Sequence, residues 1–219
     1  MNAPPRVLIS AGPTHEPIDA VRYLGNRSSG RLGVCLAETA VAMGCTTTLL
    51  LGPSSQAPAK HSALTIHRFQ SCADLETLLK ETWPAQDLLF MAAAVADYRP
   101  VHTNEHGKLR RTPGTVSLEL EPTPDLLAEL AGQSRPDQLR IGWALEPREE
   151  LMDSARAKLA RKQLDAIIAN PLNTVDSKEI EPTLILADGS IHTPPTKCLS
   201  KTDFAGWLLK LTLGMRARA

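Results

Sequence analysis

Three arginines flank a serine–serine–glycine run: Arg22, Arg27 and Arg31 around Ser28, Ser29 and Gly30. No acidic residue interrupts the stretch from Arg22 to Arg31. Hydroxyls and backbone amides that open a helix face anions, and the helix dipole favours negative charge there. The cluster as a whole points to a bound phosphate, whereas Ser28 alone reads as an ordinary helix cap. A second basic group lies at Arg156, Lys158, Arg161 and Lys162. Lys158 and Lys162 are four apart and share a helix face; the alternative is a basic last turn that complements the helix dipole. A third, Gly107-Lys108-Leu109-Arg110-Arg111, is equally readable as a solvated charge run. The segment Met91 to Pro100 (M-A-A-A-V-A-D-Y-R-P) closes an apolar run with small residues. Small side chains at the carboxyl end of a strand let a flat ligand approach the backbone, and the Asp97 carboxylate can accept from an exocyclic amine. Taken singly, the alanines read as core packing and Asp97 as a cap of the next element.

The elements that must hold these groups follow from periodicity. Arg6–Ala11, closed by Gly12-Pro13, and Thr46–Leu51, closed by Gly52-Pro53, read as buried strands. Leu64–Phe69 reads as a third strand and Asp87–Val95, the most apolar run, as a central one. Gly30–Met43 is a helix with Gly44 just past its end. Leu75–Trp83, Pro124–Leu130, Glu149–Lys162 and Phe204–Leu213 are further helices, and Leu139–Ala144 and Ala166–Ala169 further strands. Thr183–Ala187 and Ser190–Thr193 form a hairpin about Asp188-Gly189. Tyr98–Leu120 breaks the rhythm, polar and basic and then alternating from Thr115, and reads as a flap or β-hairpin. Strands alternating with helices predict an α/β fold with a mostly parallel sheet covered on both faces. Ligands of such folds bind at the carboxyl ends of the strands, where the unusual loops lie.

Composition bounds the alternatives. At 219 residues the chain is expected to be a single domain, 1–219, with the flap at about 98–120. Lys plus Arg and Asp plus Glu are 24 each, which argues against a nucleic-acid coat or a polybasic membrane binder. Three Phe, three Trp and two Tyr are few for a single-strand binder built on stacking. The charge resolves into patches: Arg22–Arg31 and Arg156–Lys162 are basic, Glu119–Glu129 is acidic, and the acids are expected to offset the cations elsewhere on the surface. Cys35, Cys45, Cys72 and Cys198 form no C-x-x-C pair and read as reduced, buried thiols. No run reaches the ~18 apolar residues of a membrane span, so a soluble, cytoplasmic protein is expected. The loop Ala11–Asp19 holds Gly12 but no G-x-G-x-x-G, which disfavours a nicotinamide or flavin reductase.

Taken together and in this order, the segments resemble the phosphopantothenoylcysteine synthetase family of coenzyme A biosynthesis. The match is carried by Ala11-Gly12 to Asp19, Val21-Arg22-Tyr23, Asn26-Arg27-Ser28-Ser29-Gly30, Ala92 to Pro100, Gly142 to Glu146 and Lys158 to Asn170. The resemblance implies a Rossmann-like three-layer domain that joins 4′-phosphopantothenate to L-cysteine. Bacterial members use CTP and eukaryotic relatives ATP. The carboxylate attacks the α-phosphorus, pyrophosphate leaves, and the cysteine amine displaces CMP from the acyl-cytidylate. Mg2+ bridges the triphosphate; no residue here is assigned to it. By resemblance Asn26 and Lys108 are catalytic, Asn26 on the acyl-cytidylate and Lys108 at the reacting phosphate. Arg22, with Asn26 and Ala93, holds the acyl substrate. Gly12, Ser28, Ser29 and Gly30 belong to the nucleotide site; Ala93, Ala94 and Asp97 hold the cytosine; Lys158 and Lys162 meet the triphosphate. A homodimer whose flap crosses to the partner's site is implied.

Three positions depart from the family pattern. The flap reads Lys108-Leu109-Arg110-Arg111 where K-x-K-K is usual, which keeps the charge and changes hydrogen-bond geometry. Trp143 stands where a phenylalanine usually packs on the base. Pro171–Glu181 lacks the usual phenylalanine and asparagine pattern, so an ATP-using version stays open, as does a nucleotide-binding domain without turnover. Many bacterial relatives carry a flavin-dependent decarboxylase domain ahead of the synthetase. The first strand here begins at Arg6, so that step is expected on a separate decarboxylase partner or on a missing part of the protein.

Overall fold

A computed structural model describes residues 3–54, 56–104, 106–174 and 177–216. In chain order these form β1 (Arg6–Ala11), β2 (His15–Pro17), β3 (Tyr23–Gly25), α1 (Arg31–Ala42), β4 (Thr46–Leu51), β5 (Leu64–Arg68), α2 (Cys72–Thr82) and β6 (Leu88–Met91). There follow β7 (Tyr98–Pro100), β8 (Leu120–Pro122), α3 (Leu126–Glu129), β9 (Leu139–Glu146), α4 (Leu151–Arg161) and β10 (Ala166–Pro171). The chain closes with β11 (Glu179–Ile180), β12 (Thr183–Leu186), β13 (Ile191–His192), β14 (Leu199–Ser200) and α5 (Lys201–Arg216).

The main sheet runs β13-β12-β10-β9-β6-β1-β4-β5. From β10 to β5 every pairing is parallel; β12 and β13 add an antiparallel edge. Both faces are covered, which is why the inner strands are continuously apolar. Alternate residues serve opposite layers. Val7, Ile9 and Phe90 pack with Leu36 of α1 and Phe204 and Leu208 of α5. Leu8, Leu50 and Leu89 pack with Leu75 and Leu79 of α2 and Leu159 of α4. Helix α1 lies hard against β1 because Gly33 has no side chain; a Cβ there would stand 2.3 Å from Ala11 Cβ. The α/β fold with a mostly parallel sheet is thus as the sequence predicts.

Several boundaries move. The central strand stops at Met91 rather than Val95, because Ala93–Ala96 leave the sheet to bond β1 and its following loop. Helix α2 begins at Cys72, three residues earlier than expected, where Ser71 and Asp74 cap each other's backbone amides. The flap pairs at its base, β7 against β8, with Val101 N–H donating to Glu119 O at 3.0 Å. The alternating Thr115–Leu120 segment joins a strand only at Leu120. Val116 and Leu118 are exposed: alternation forms a strand only where there is an apolar face to cover. The hairpin β2–β3 was not expected. His15 stacks on Tyr23 across it, ring centroids 3.5 Å apart. The four cysteines are unpaired; Cys45 and Cys72 are buried as expected, but Cys35 is half-buried and Cys198 exposed. Burial, then the Glu16 and Glu76 charges, push the Cys72 thiol up to about 11, so it stays a neutral packing group.

Candidate functional site

A cleft of about 710 Å3 opens where β6, β9 and β10 end and α1 begins. Its floor against α1 depends on two glycines. Gly30 caps α1 with φ of 71°, and Gly12 turns behind it with φ of 84°. A Cβ on Gly30 would lie 3.4 Å from Gly12 Cα and 3.1 Å from Ser54 Oγ, so the helix start can approach the turn after β1 only without a side chain. Ser54 Oγ donates to Ser29 O at 2.6 Å and fixes the Ser28–Gly30 loop. The first turn of α1, Arg31 to Gly33, lines the cleft together with Ser28, Ser29 and Gly30, and Arg31 N–H donates to Ser29 Oγ at 3.4 Å.

The opposite wall is the Ala93–Asp97 loop, and buried polar groups of β1 and its following turn hold it. Ser10 Oγ accepts from Ala93 N–H at 3.2 Å. Ala94 N–H donates to Gly12 O at 2.9 Å, and Ala96 N–H to Thr14 Oγ1 at 3.0 Å. Thr123 N–H donates to Asp97 O at 3.0 Å, which fixes the Asp97 backbone and leaves its side chain exposed at the cleft. Asn26 Nδ2 donates to Val95 O at 2.8 Å, tying the two walls together. Trp143 lines the cleft from β9 and meets Phe90 edge-on, centroids 6.5 Å apart. Its Nε1 is shielded from solvent and has no hydrogen-bond partner among the described residues.

Helix α4 brings Lys158 and Lys162 to the same cleft. Its carboxyl end is set by the buried Arg140, whose guanidinium donates to Lys162 O at 3.3 Å, to Leu127 O at 3.2 Å and to Gln163 O. Burial pushes the Arg140 pKa down, opposed by the Asp165 charge. Each lysine already has a counter-ion: Lys158 Nζ lies 2.6 Å from Glu146 Oε1 and Lys162 Nζ 2.9 Å from Asp125 Oδ1. The hydrogen bond from Lys158 holds the Glu146 carboxyl below its ordinary value. The acidic stretch does not stay apart from the cations. Asp125, in the acidic stretch expected to offset the cations elsewhere, sits at the cleft against Lys162. Sequence separations of 12 and 37 residues hide both pairs.

The structure gathers Asn26, Ser28, Ser29, Gly30, Ala93, Ala94, Asp97, Trp143, Lys158 and Lys162 around one cleft. Gly12 lies directly behind Gly30. Arg22 and Lys108 are elsewhere, off the cleft lining. Arg22 is bound to Asp19, its guanidinium 2.6 Å from Asp19 Oδ2. Lys108 stands next to Leu109, whose N–H donates to the same oxygen. Residues missed in the sequence are Ser10, Thr14, Asp19, Asp125, Arg140 and Glu146. A polar residue inside an apolar strand, as Ser10 is, was a signal available from the sequence. Among the described residues, no group of three or more His, Cys, Asp or Glu is arranged to hold a metal ion.

The chain is similar to proteins of coenzyme A biosynthesis. The bifunctional coenzyme A biosynthesis protein CoaBC of Bacillus subtilis is 41% identical over 210 residues, covering 93% of this chain and 50% of that protein. A protein named cysteine/cysteine sulfinic acid decarboxylase, from an unknown prokaryotic organism, is 42% identical over 167 residues, 76% of this chain and 46% of that protein. The chain thus spans about half the length of the curated relatives it matches. The crystal structure of the C-terminal domain of a CoaBC protein superposes with a TM-score of 0.81 at 32% identity, covering 98% of this chain and 97% of that one. The family described as the DNA/pantothenate metabolism flavoprotein C-terminal domain matches residues 3–214. That match spans nearly the whole chain, and the chain belongs to this family.

Proposed function

We propose that the chain is a phosphopantothenate–cysteine ligase that uses CTP and acts in coenzyme A biosynthesis. The observation that supports this best is the convergence of two chemically different ends in one cleft. Ala93, Ala94, Asp97 and Trp143 form a small-residue and aromatic end suited to a base. Ser28–Gly30 with Lys158 and Lys162 form a cationic end suited to a triphosphate. Mg2+ enters with the nucleotide as part of the substrate.

Transfer between a nucleotide and a carboxylate asks the protein for position and charge neutralisation more than covalent help. The triphosphate brings several negative charges against the single charge of Glu146 or Asp125, and so draws Lys158 and Lys162 off their resting partners. The 4′-phosphopantothenate carboxylate oxygen attacks the α-phosphorus, the bond to the β-phosphate oxygen breaks, and pyrophosphate leaves. Lys108 neutralises charge at the reacting phosphate. Asn26, its Nδ2 held by Val95 O, keeps its side-chain oxygen as an acceptor beside the acyl-cytidylate. The cysteine amine then attacks the acyl carbon and CMP leaves. Arg22 steadies the acyl substrate, and a homodimer brings the flap of one protomer to the other's cleft.

Pyrophosphate release with 4′-phosphopantothenate and cysteine, CTP compared with ATP, tests the reading. Release is expected with CTP; release with ATP alone would reassign the nucleotide, and none with either would defeat the ligase. Asn26→Asp is expected to let the acyl-cytidylate accumulate, detectable by mass spectrometry after quenching. Normal turnover by that variant would remove Asn26 from the second step.

A further inference from the structure

The flap residue Lys108 lies in a segment bonded on both sides to one short turn, residues 18 to 22. Before the lysine, Gly107 O accepts from Ala20 N–H at 3.0 Å, and Asn104 N–H donates to Ile18 O at 3.2 Å. After it, Leu109 N–H donates to Asp19 Oδ2 at 3.0 Å, and Leu109 O accepts from the Arg22 guanidinium at 2.5 Å. Asp19 is the centre of this clamp. Its Oδ1 accepts from Val21 N–H and Arg22 N–H, each at 2.8 Å, and its Oδ2 also accepts from Arg22 Nε at 2.9 Å. The residue is 4% exposed, while Arg22's side chain is 47% exposed. A buried carboxylate with this many donors has one geometry open to it. Burial opposes its charge, but the N–H groups of Leu109, Val21 and Arg22 and the Arg22 guanidinium outweigh burial and hold the carboxyl well below the ordinary carboxylate range.

We infer that Asp19 is a positioning residue: it seats Lys108 by gripping the flap at Leu109 and orients Arg22 with the same oxygen. The inference rests on the proposed use of Lys108 and Arg22 in the ligase reaction. Asp19 does not line the cleft; it acts through the loop and the guanidinium. It therefore ties two groups that lie off the cleft lining to one another, so that the flap and the acyl-binding arginine move as one unit. Asp19, Arg22, Lys108 and Leu109 are not among the residues that line the cleft with Lys158, Lys162 and Trp143, and nucleotide affinity is expected not to depend on the clamp.

The test compares wild type, Asp19→Asn and Lys108→Gln in pyrophosphate release and in CTP titration, with the thermal midpoint of each. Asp19→Asn keeps the shape and removes the charge. Its kcat is expected to fall about 10²-fold, the usual cost of misplacing a reacting group by an ångström. The KM for 4′-phosphopantothenate is expected to rise, and the dissociation constant for CTP to stay unchanged. Wild-type kcat in Asp19→Asn, with kcat lowered in Lys108→Gln, would overturn the inference and leave the ligase reading standing. CTP affinity falling in step with kcat would mark a merely structural role and overturn it equally. Normal turnover by Lys108→Gln would remove the lysine from the mechanism, and the inference with it. Amide hydrogen exchange keeps the question open to measurement even if Asp19→Asn does not fold. In the wild-type protein the Leu109 amide is expected to be protected, and exchange at the rate of an unstructured peptide would overturn the clamp.

Discussion

The cleft and the flap hold functional residues in opposite ways. In the cleft, side chains stand on strands and helices whose positions are fixed by a two-faced apolar core. Trp143 rests on β9 beside Phe90, and Lys158 rides on α4, which Arg140 anchors by its carboxyl end. In the flap, Lys108 has no such platform. Val116 and Leu118 of the same flap are exposed, and the place of the Lys108 segment is set by a few hydrogen bonds to a turn centred on one buried carboxylate. The difference suits the two tasks. Binding a triphosphate benefits from a site that exists beforehand, whereas a group needed at the moment of transfer can sit on a segment of low local stability that moves.

Four substitutions bear on that contrast. The largest effect is expected from Phe90→Ala, which empties the core directly beneath the cleft and should cost about 3–5 kcal/mol in a denaturant titration. The matching flap change, Val116→Ala, should lie within about 0.5 kcal/mol of wild type. Equal losses would erase the distinction between platform and flap. Next, Lys108→Gln is expected to lower kcat by about 10²–10³-fold, as the loss of one preorganised charge stabiliser does, with the thermal midpoint and CTP affinity unchanged. Weakened CTP binding there would mean that the flap also builds the ground-state site.

The smallest effect concerns pH. The Glu146 carboxyl is lowered from 4.5 by the hydrogen bond from Lys158. Its contribution is therefore full above about 4.5, the unfolded value, and is lost as pH falls through the lower folded value. Glu146→Gln should flatten the acid limb of the stability curve by less than about 1 kcal/mol. An acid limb unchanged in Glu146→Gln would show that this pair contributes nothing measurable to the folded platform.

Much of the platform was legible in the sequence because its signals are local. Apolar runs closed by Gly12-Pro13 and Gly52-Pro53 became β1 and β4, and Gly44 ended a helix where a glycine usually does. Ser28–Gly30 announced a helix start with an anion-seeking end. What escaped was non-local. The pairs Lys158–Glu146 and Lys162–Asp125 join segments that no periodicity links. The hairpin β2–β3 is three residues on each arm, with Pro17 in one and Gly25 in the other, and carries no alternation long enough to read. Asp19 closes a segment that carries the family resemblance, but its clamp role was not legible, because one of its partners lies in a flap 90 positions away along the chain.

In the proposed reaction one cleft receives a whole nucleoside triphosphate while the flap acts on it from outside. A crystal structure with a non-hydrolysable CTP analogue tests this most directly. The base is expected against Ala93, Ala94, Asp97 and Trp143. The phosphates are expected on Ser28–Gly30, with Lys158 and Lys162 turned from Glu146 and Asp125 toward them. A nucleotide bound outside this cleft, or one bound in it with both lysines still paired to their carboxylates, would contradict the claim.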